Sequence, residues 1–146
     1  MNTGYVAQGR LATTRHDWET PSDLFERLDA EFAFTLDACG SADNRKVHHY
    51  FSSEDLVSAL AKPWTGVVWV NPPYGKTLGQ WVEKAYRSSL EGATVVCLVP
   101  SRTDVAWWHD YAMKAAEIRF FRGRLRFGEA KWNAPYPSAL LVFRAT

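Results

Sequence analysis

The sequence predicts one α/β domain built on a mainly parallel sheet with helices on both of its faces, and three observations carry that prediction. The strand-like runs Val67-Val68-Trp69-Val70 and Thr94 to Val99 are apolar almost throughout, as strands covered on both faces are, and do not alternate with polar residues. Segments with helical spacing of apolar residues lie between and around them, at 21–31, 77–90 and 103–116. The 146 residues, 47% of them hydrophobic, suffice for one domain with its own core and are too few for a second full one.

Residues 1–16 are polar and read as a flexible N-terminal segment, which leaves 17–146 as the domain. Thr20-Pro21 marks a helix start, with Thr20 as cap, Pro21 at the first helical position and Asp23 in the first turn. Leu24, Phe25, Leu28 and Phe32 then share one face of a helix over 21–31. Phe32 to Leu36 is short and β-prone, and it runs into Asp37-Ala38-Cys39-Gly40-Ser41, small residues that suit a loop. Val47 to Phe51 is a second candidate strand, and Ser53-Glu54-Asp55 caps a short helix through Leu60. The run Val67 to Val70 stops at Asn71-Pro72-Pro73-Tyr74-Gly75. The helix over 77–90 turns Leu78, Trp81, Val82, Ala85 and Tyr86 inward; the strand Thr94 to Val99 ends at Pro100. A helix over 103–116, with Val105, Trp108, Tyr111 and Ala115 inward, precedes the last strands at Ile118 to Phe121 and Leu140 to Phe143.

Several functional classes are disfavoured at once. No apolar stretch approaches the roughly 20 residues that cross a bilayer, and Arg10, Arg15, Asp17 and Glu19 stand where a signal core would be, so a cytoplasmic protein is expected. Cys39 and Cys97 are far apart and suit buried small hydrophobes, and His16, His48, His49 and His109 show no ligand spacing, so neither disulfides nor a metal site is expected. The 14% aromatic content is high enough to suggest that something flat or large is bound. The net charge of +1 conceals two opposed halves: residues 1–60 carry five basic and ten acidic side chains, and residues 61–146 carry twelve and six. Within 119–131, Arg119, Arg122, Arg124, Arg126 and Lys131 face only Glu129; such a segment follows a phosphate backbone or merely keeps a hairpin solvated.

Ligands of open parallel sheets sit beyond the carboxyl ends of the strands, and Asp37, Asp55 and Asn71 all lie at or just after candidate strand ends. The sharpest feature there is Asn71-Pro72-Pro73-Tyr74. Its two prolines stiffen the loop and remove two backbone donors. The Asn71 amide beside the Pro72 carbonyl provides two acceptors for the two hydrogens of an exocyclic amino group, and Tyr74 provides a face for stacking a planar base. A conjugated amine is a poor nucleophile, so methylating it depends on such orientation and polarisation.

An Asn-Pro-Pro-Tyr box after a buried strand resembles the catalytic motif of S-adenosylmethionine-dependent methyltransferases of amino groups on adenine or cytosine. More narrowly, Trp18-Glu19-Thr20-Pro21, Leu36-Asp37-Ala38-Cys39, Trp69-Val70-Asn71-Pro72-Pro73-Tyr74-Gly75, Pro100-Ser101-Arg102-Thr103-Asp104, Arg122-Gly123-Arg124-Leu125-Arg126-Phe127 and Ala134-Pro135-Tyr136-Pro137-Ser138-Ala139 together resemble the phage-borne DNA N6-adenine methyltransferases of Dam type, from about residue 16 to the end. The resemblance implies a Rossmann-like methyltransferase fold. It implies that Thr20-Pro21 helps hold the methionyl carboxylate, that Asp37, with Ala38 and Cys39, lies near the cofactor's amino group, and that Asp55 reads the cofactor's adenine. It further implies that Asn71, beside the methyl donor, acts with Pro72 and Tyr74 to hold and stack the target base while Pro73 keeps the loop rigid. Only Gly40 stands where many methyltransferases carry a glycine-rich loop.

The target adenine must then be flipped out of double-stranded DNA to reach the donor. Arg102, Arg122, Arg124, Arg126 and Lys131 are expected to contact phosphates or bases. Competing acceptors are cytosine N4, an RNA base or a protein glutamine amide, and a rival of another class is a catalytically silent nucleic-acid-binding protein on the same fold. A single domain of this length leaves no separate target-recognition domain, which points to relaxed sequence specificity or to a homodimer.

Overall fold

The computed structural model describes residues 20–40, 45–52, 55–126 and 134–146. The expected flexible segment 1–16, together with Ser41, Ser53, Glu54, Phe127 and Lys131, lies outside the described residues.

Helix α1 (Ser22–Phe32) begins at Pro21, which occupies the cap position with no side-chain cap hydrogen bond. Thr20 is therefore not the expected cap; its hydroxyl is engaged elsewhere. Leu24, Phe25 and Leu28 form the buried face, one stripe of a 3.6-residue repeat. The helix ends where Ala33 turns left-handed (φ 55°), and Asp29 Oδ1 accepts from the Phe34 amide at 2.9 Å, which turns the chain toward the sheet. Strand β1 is Leu36–Gly40, buried at every position, so Asp37 to Gly40 form the strand itself and Phe32 closes the helix. The small residues expected to make a loop are small because the strand is covered on both faces between two neighbours. Strand β2 (Tyr50–Ser52) starts later than expected, and helix α2 (Leu56–Ala61) is capped by Asp55, whose Oδ1 accepts from the Ser58 amide at 3.0 Å.

Strand β3 (Val67–Val70), helix α3 (Leu78–Leu90) and strand β4 (Thr94–Pro100) fall where the apolar patterns put them. The helix expected over 103–116 is broken into α4 (Ala106–Asp110) and a 3₁₀ turn (Ala112–Lys114). The break is at Tyr111, which leaves helical dihedrals (φ −128°, ψ −46°) and lays its ring 6.2 Å from that of Tyr86. Strands β5 (Glu117–Phe120) and β6 (Ser138–Phe143) complete the domain.

The sheet order is β2-β1-β3-β4-β6-β5. Adjacent strands β2, β1, β3 and β4 run parallel, but β6 pairs antiparallel with both β4 and β5. The expected mainly parallel sheet is thus a mixed one, and its ladder from Val95↔Phe143 to Pro100↔Ser138 is antiparallel. An apolar run looks the same from either direction, so sequence alone could not orient β6.

Side chains alternate between two cores. Trp69, Val96, Leu98, Leu140 and Val142 meet Leu24, Phe25 and Leu28 of α1, while Val68, Val70, Val95, Cys97, Val99 and Leu141 meet α2, α3 and α4. Helices therefore cover both faces. Much of the aromatic content is spent here: Trp64, Trp69, Trp81 and Trp108 are buried, and Phe25 packs on Phe34 and Trp69 at 5.5 and 5.4 Å. Cys39 and Cys97 are buried and, among the described residues, form no disulfide; His48, His49 and His109 are exposed.

Candidate active site at the carboxyl edge

The carboxyl ends of β1, β3 and β4 share one edge of the sheet, and β6 starts there because Ser138 lies opposite Pro100. Asn71 is the first residue past β3 and is 1% exposed. It follows Trp69 by two residues, which places its side chain on the α1 face. There its Nδ2 donates to Thr20 Oγ1 at 3.0 Å, across 51 residues of chain, with Thr20 itself 3% exposed. The bond fixes the amide plane and turns Oδ1 away from Thr20, the orientation that offers an acceptor at the edge. Pro72 is buried, Pro73 and Tyr74 are half-buried. The Tyr74 hydroxyl reaches the Leu98 carbonyl at 3.5 Å, tying the loop to β4.

Asp37 sits one strand over, paired with Trp69, and is 1% exposed. Its Oδ1 accepts from the Cys39 amide at 3.1 Å and its Oδ2 from the Lys46 amide at 2.8 Å, so the carboxylate is held by backbone donors that make its burial tolerable. The single glycine of this stretch has a steric reason: a Cβ on Gly40 would come within 2.8 Å of Asp37 Oδ2. Ala38 and Cys39 are fully buried, backbone included. Pro21 is half-buried at the start of α1 beside Thr20. Asp55 follows β2, whose Ser52 lies beside Gly40, but it is exposed and one of its oxygens caps α2.

The structure brings Thr20, Pro21, Asp37, Ala38, Cys39 and the Asn71 to Tyr74 loop to one edge, with Asp55 at its far end. Basic side chains flank it. Arg102 is exposed two residues past β4, and Arg122, Arg124 and Arg126 are exposed on the segment that leaves β5 at the same edge. Arg124 Nη1 donates to the Ala134 carbonyl at 3.2 Å and the Ala134 amide donates to the Leu125 carbonyl at 2.8 Å, so this segment is closed on itself. Arg119, which belongs to the same basic run, is spoken for: it forms ion pairs with Glu31 at 2.6 Å and Glu117 at 2.8 Å. Its hydrogen bonds hold both carboxyls below their usual range, and theirs push the guanidinium further up. Among the described residues no cluster of three or more His, Cys, Asp or Glu could hold a metal ion.

Sequence reasoning assigned no role to Tyr136, yet its ring meets that of Tyr74 edge-on, centroids 5.4 Å apart and planes at 67°. The signal was present in Pro135-Tyr136-Pro137, an aromatic stiffened by prolines as Tyr74 is, but it needed the fold to join the two.

Comparison with known proteins agrees with this geometry. The family model described as DNA N-6-adenine-methyltransferase (Dam) matches residues 9–141. A protein of Escherichia phage T1, described as DNA N-6-adenine-methyltransferase, is 30% identical over 105 residues, which cover 69% of this chain and 42% of the phage protein. The chain thus spans under half the length of that curated relative. With a family match that runs through the edge carrying Asn71, Pro72, Pro73 and Tyr74, the chain belongs to the DNA N-6-adenine-methyltransferase (Dam) family.

Proposed function

We propose that this chain transfers a methyl group from S-adenosylmethionine to the N6 amino group of an adenine flipped out of double-stranded DNA. The observation that carries the proposal is the Asn71 amide, buried and oriented by Thr20 at the head of a proline-stiffened loop. Asn71 Oδ1 and the Pro72 carbonyl accept the two amino hydrogens, which draws electron density onto the nitrogen and aims its lone pair. Tyr74 stacks on the ring, and the Tyr136 edge beside it limits how the ring can slide.

What supports S-adenosylmethionine as donor is a buried carboxylate at Asp37, with Ala38 and Cys39 following it in β1, and Thr20-Pro21 at the start of an eleven-residue helix, whose first-turn amides favour an anion. The cofactor supplies an electrophilic methyl group on a sulfonium. Asp55 remains the candidate for its adenine. Four adjacent parallel strands with one reversed strand beyond them suit a Rossmann-like methyltransferase fold. Arg102, Arg122, Arg124, Arg126 and Lys131 are the candidate DNA contacts, and a phage-type enzyme of this kind acts in the host cytoplasm. These loops are the candidate readout surface, and a short, relaxed site or a homodimer is the reading that goes with them.

Asn71→Ala tests the reading. Tritiated donor incubated with DNA, RNA and protein separates the acceptors, and calorimetry separates transfer from donor binding. The expected result is label in DNA adenine only, abolished in Asn71→Ala with donor affinity retained. Label in RNA or protein, or a variant as active as wild type, refutes the reading.

A further inference from the structure

A second buried polar group stands at the same edge, and neither the Asn-Pro-Pro-Tyr box nor its partners account for it. Ser138 opens β6, is 1% exposed, and its Oγ has no hydrogen-bond partner among the described residues. Ser101, just past β4, is half-buried, but its Oγ is likewise enclosed with no partner among the described residues, and the Ser101 amide donates to the Pro137 carbonyl at 2.9 Å, which keeps the two serines together. A buried hydroxyl with no partner costs free energy unless a ligand completes it. Two of them where β4 runs out are hard to explain as packing.

Their place is informative. Ser138 shares parity with Leu140 and Val142, which lie in the α1-side core, so its hydroxyl is on the same face as Asn71. Asn71 lies past β3, Ser138 heads β6, and β4 alone runs between them. Two strand spacings put the rows of Asn71 and Ser138 about 10 Å apart, a span that one purine bridges when it is held at both ends. Tyr136, two residues before Ser138, already meets the ring of Tyr74.

We propose that Ser138 is a base-binding residue: its hydroxyl donates to a ring nitrogen of the target base at the end remote from the amino group held by Asn71, and thereby selects a purine of the right outline. The assignment rests on the adenine-transfer reading above and adds a specificity contact to it. A hydroxyl is both donor and acceptor and its hydrogen rotates freely, so it can donate to a ring nitrogen.

The test uses the whole chain and duplex oligonucleotides carrying adenine, 1-deazaadenine, 3-deazaadenine or 7-deazaadenine at the methylated position. Ser138→Ala lowers kcat/KM on adenine by about tenfold, the worth of one neutral hydrogen bond in a closed site. Its melting temperature stays equal to or above that of wild type, because an unsatisfied buried hydroxyl has been removed; a structural role would lower it. Of the three, 3-deazaadenine, which lacks the ring nitrogen remote from the amino group, costs the wild-type chain a similar factor and costs Ser138→Ala nothing further. A wild-type chain indifferent to 3-deazaadenine, a loss relieved in Ser138→Ala only for 1- or 7-deazaadenine, a penalty that persists in full in Ser138→Ala, or an unchanged kcat/KM in that variant overturns the assignment. A wild-type chain that transfers nothing to unmodified adenine fails at the earlier step, where the adenine reading itself is at fault.

Discussion

Thr20→Val is the perturbation that most directly probes how the candidate site is built. Valine keeps the shape of the side chain and removes the acceptor of the 3.0 Å bond from Asn71 Nδ2. Both residues are buried, at 3% and 1% exposure, so water cannot replace the lost bond without opening the edge. A buried neutral hydrogen bond is worth about 1 kcal/mol net, and leaving its donor short costs about 1–2 kcal/mol. For a domain of this size that lowers the melting temperature by roughly 3–6 °C. The catalytic effect follows from orientation. A flipped amide offers Nδ2 hydrogens to an amine that is itself a donor, and losing about 1 kcal/mol of bias toward the correct orientation brings the two orientations near equal population, which reduces kcat about twofold. Thr20→Ser keeps the hydroxyl and stays near wild type. Differential scanning calorimetry, donor titration and single-turnover methyl transfer read the three quantities separately. Unchanged melting temperature and kcat in Thr20→Val, equal damage in Thr20→Ser, or a loss confined to donor affinity refutes the argument that Thr20 acts by orienting Asn71.

Arg124→Glu is expected to weaken DNA binding and to reduce the slope of log affinity against log salt by about 1, measured by fluorescence anisotropy; an unchanged slope removes Arg124 from the interface. Arg119→Gln leaves that slope alone, because its guanidinium is neutralised by Glu31 and Glu117. The same network predicts a pH effect. Glu31 and Glu117 are held below their ordinary 4.5, first by hydrogen bonds from Arg119, so the folded state binds fewer protons than the unfolded one there. The stabilisation is present above that value and is lost as the pH falls through the lower folded values; between about pH 5 and about pH 3 the wild type therefore loses more melting temperature than Arg119→Met. Burial pushes the Cys97 thiol up and encloses Cys39, so an alkylating reagent labels neither at mildly alkaline pH until denaturant is added; labelling of the folded chain contradicts the core packing.

Sequence alone determined what depends on neighbours along the chain. The stiff loop at Asn71-Pro72-Pro73-Tyr74 was legible because its chemistry lies in four consecutive residues, and β3, β4 and α3 because unbroken apolar runs and a 3.6-residue stripe are local patterns. The small residues from Asp37 to Gly40 were misread as a loop, since nothing local announces that β1 is squeezed between β2 and β3. Tertiary structure decided the rest, for the reason that each decision joins residues distant in sequence. Thr20 turned from a cap into the partner of Asn71 across 51 residues, and Arg119 was withdrawn from the basic run by Glu31 across 88. The direction of β6, invisible in its apolar pattern, brought Tyr136 to Tyr74 and set Ser138 opposite Pro100, where a hydroxyl that reads as ordinary in sequence is buried with no partner among the described residues.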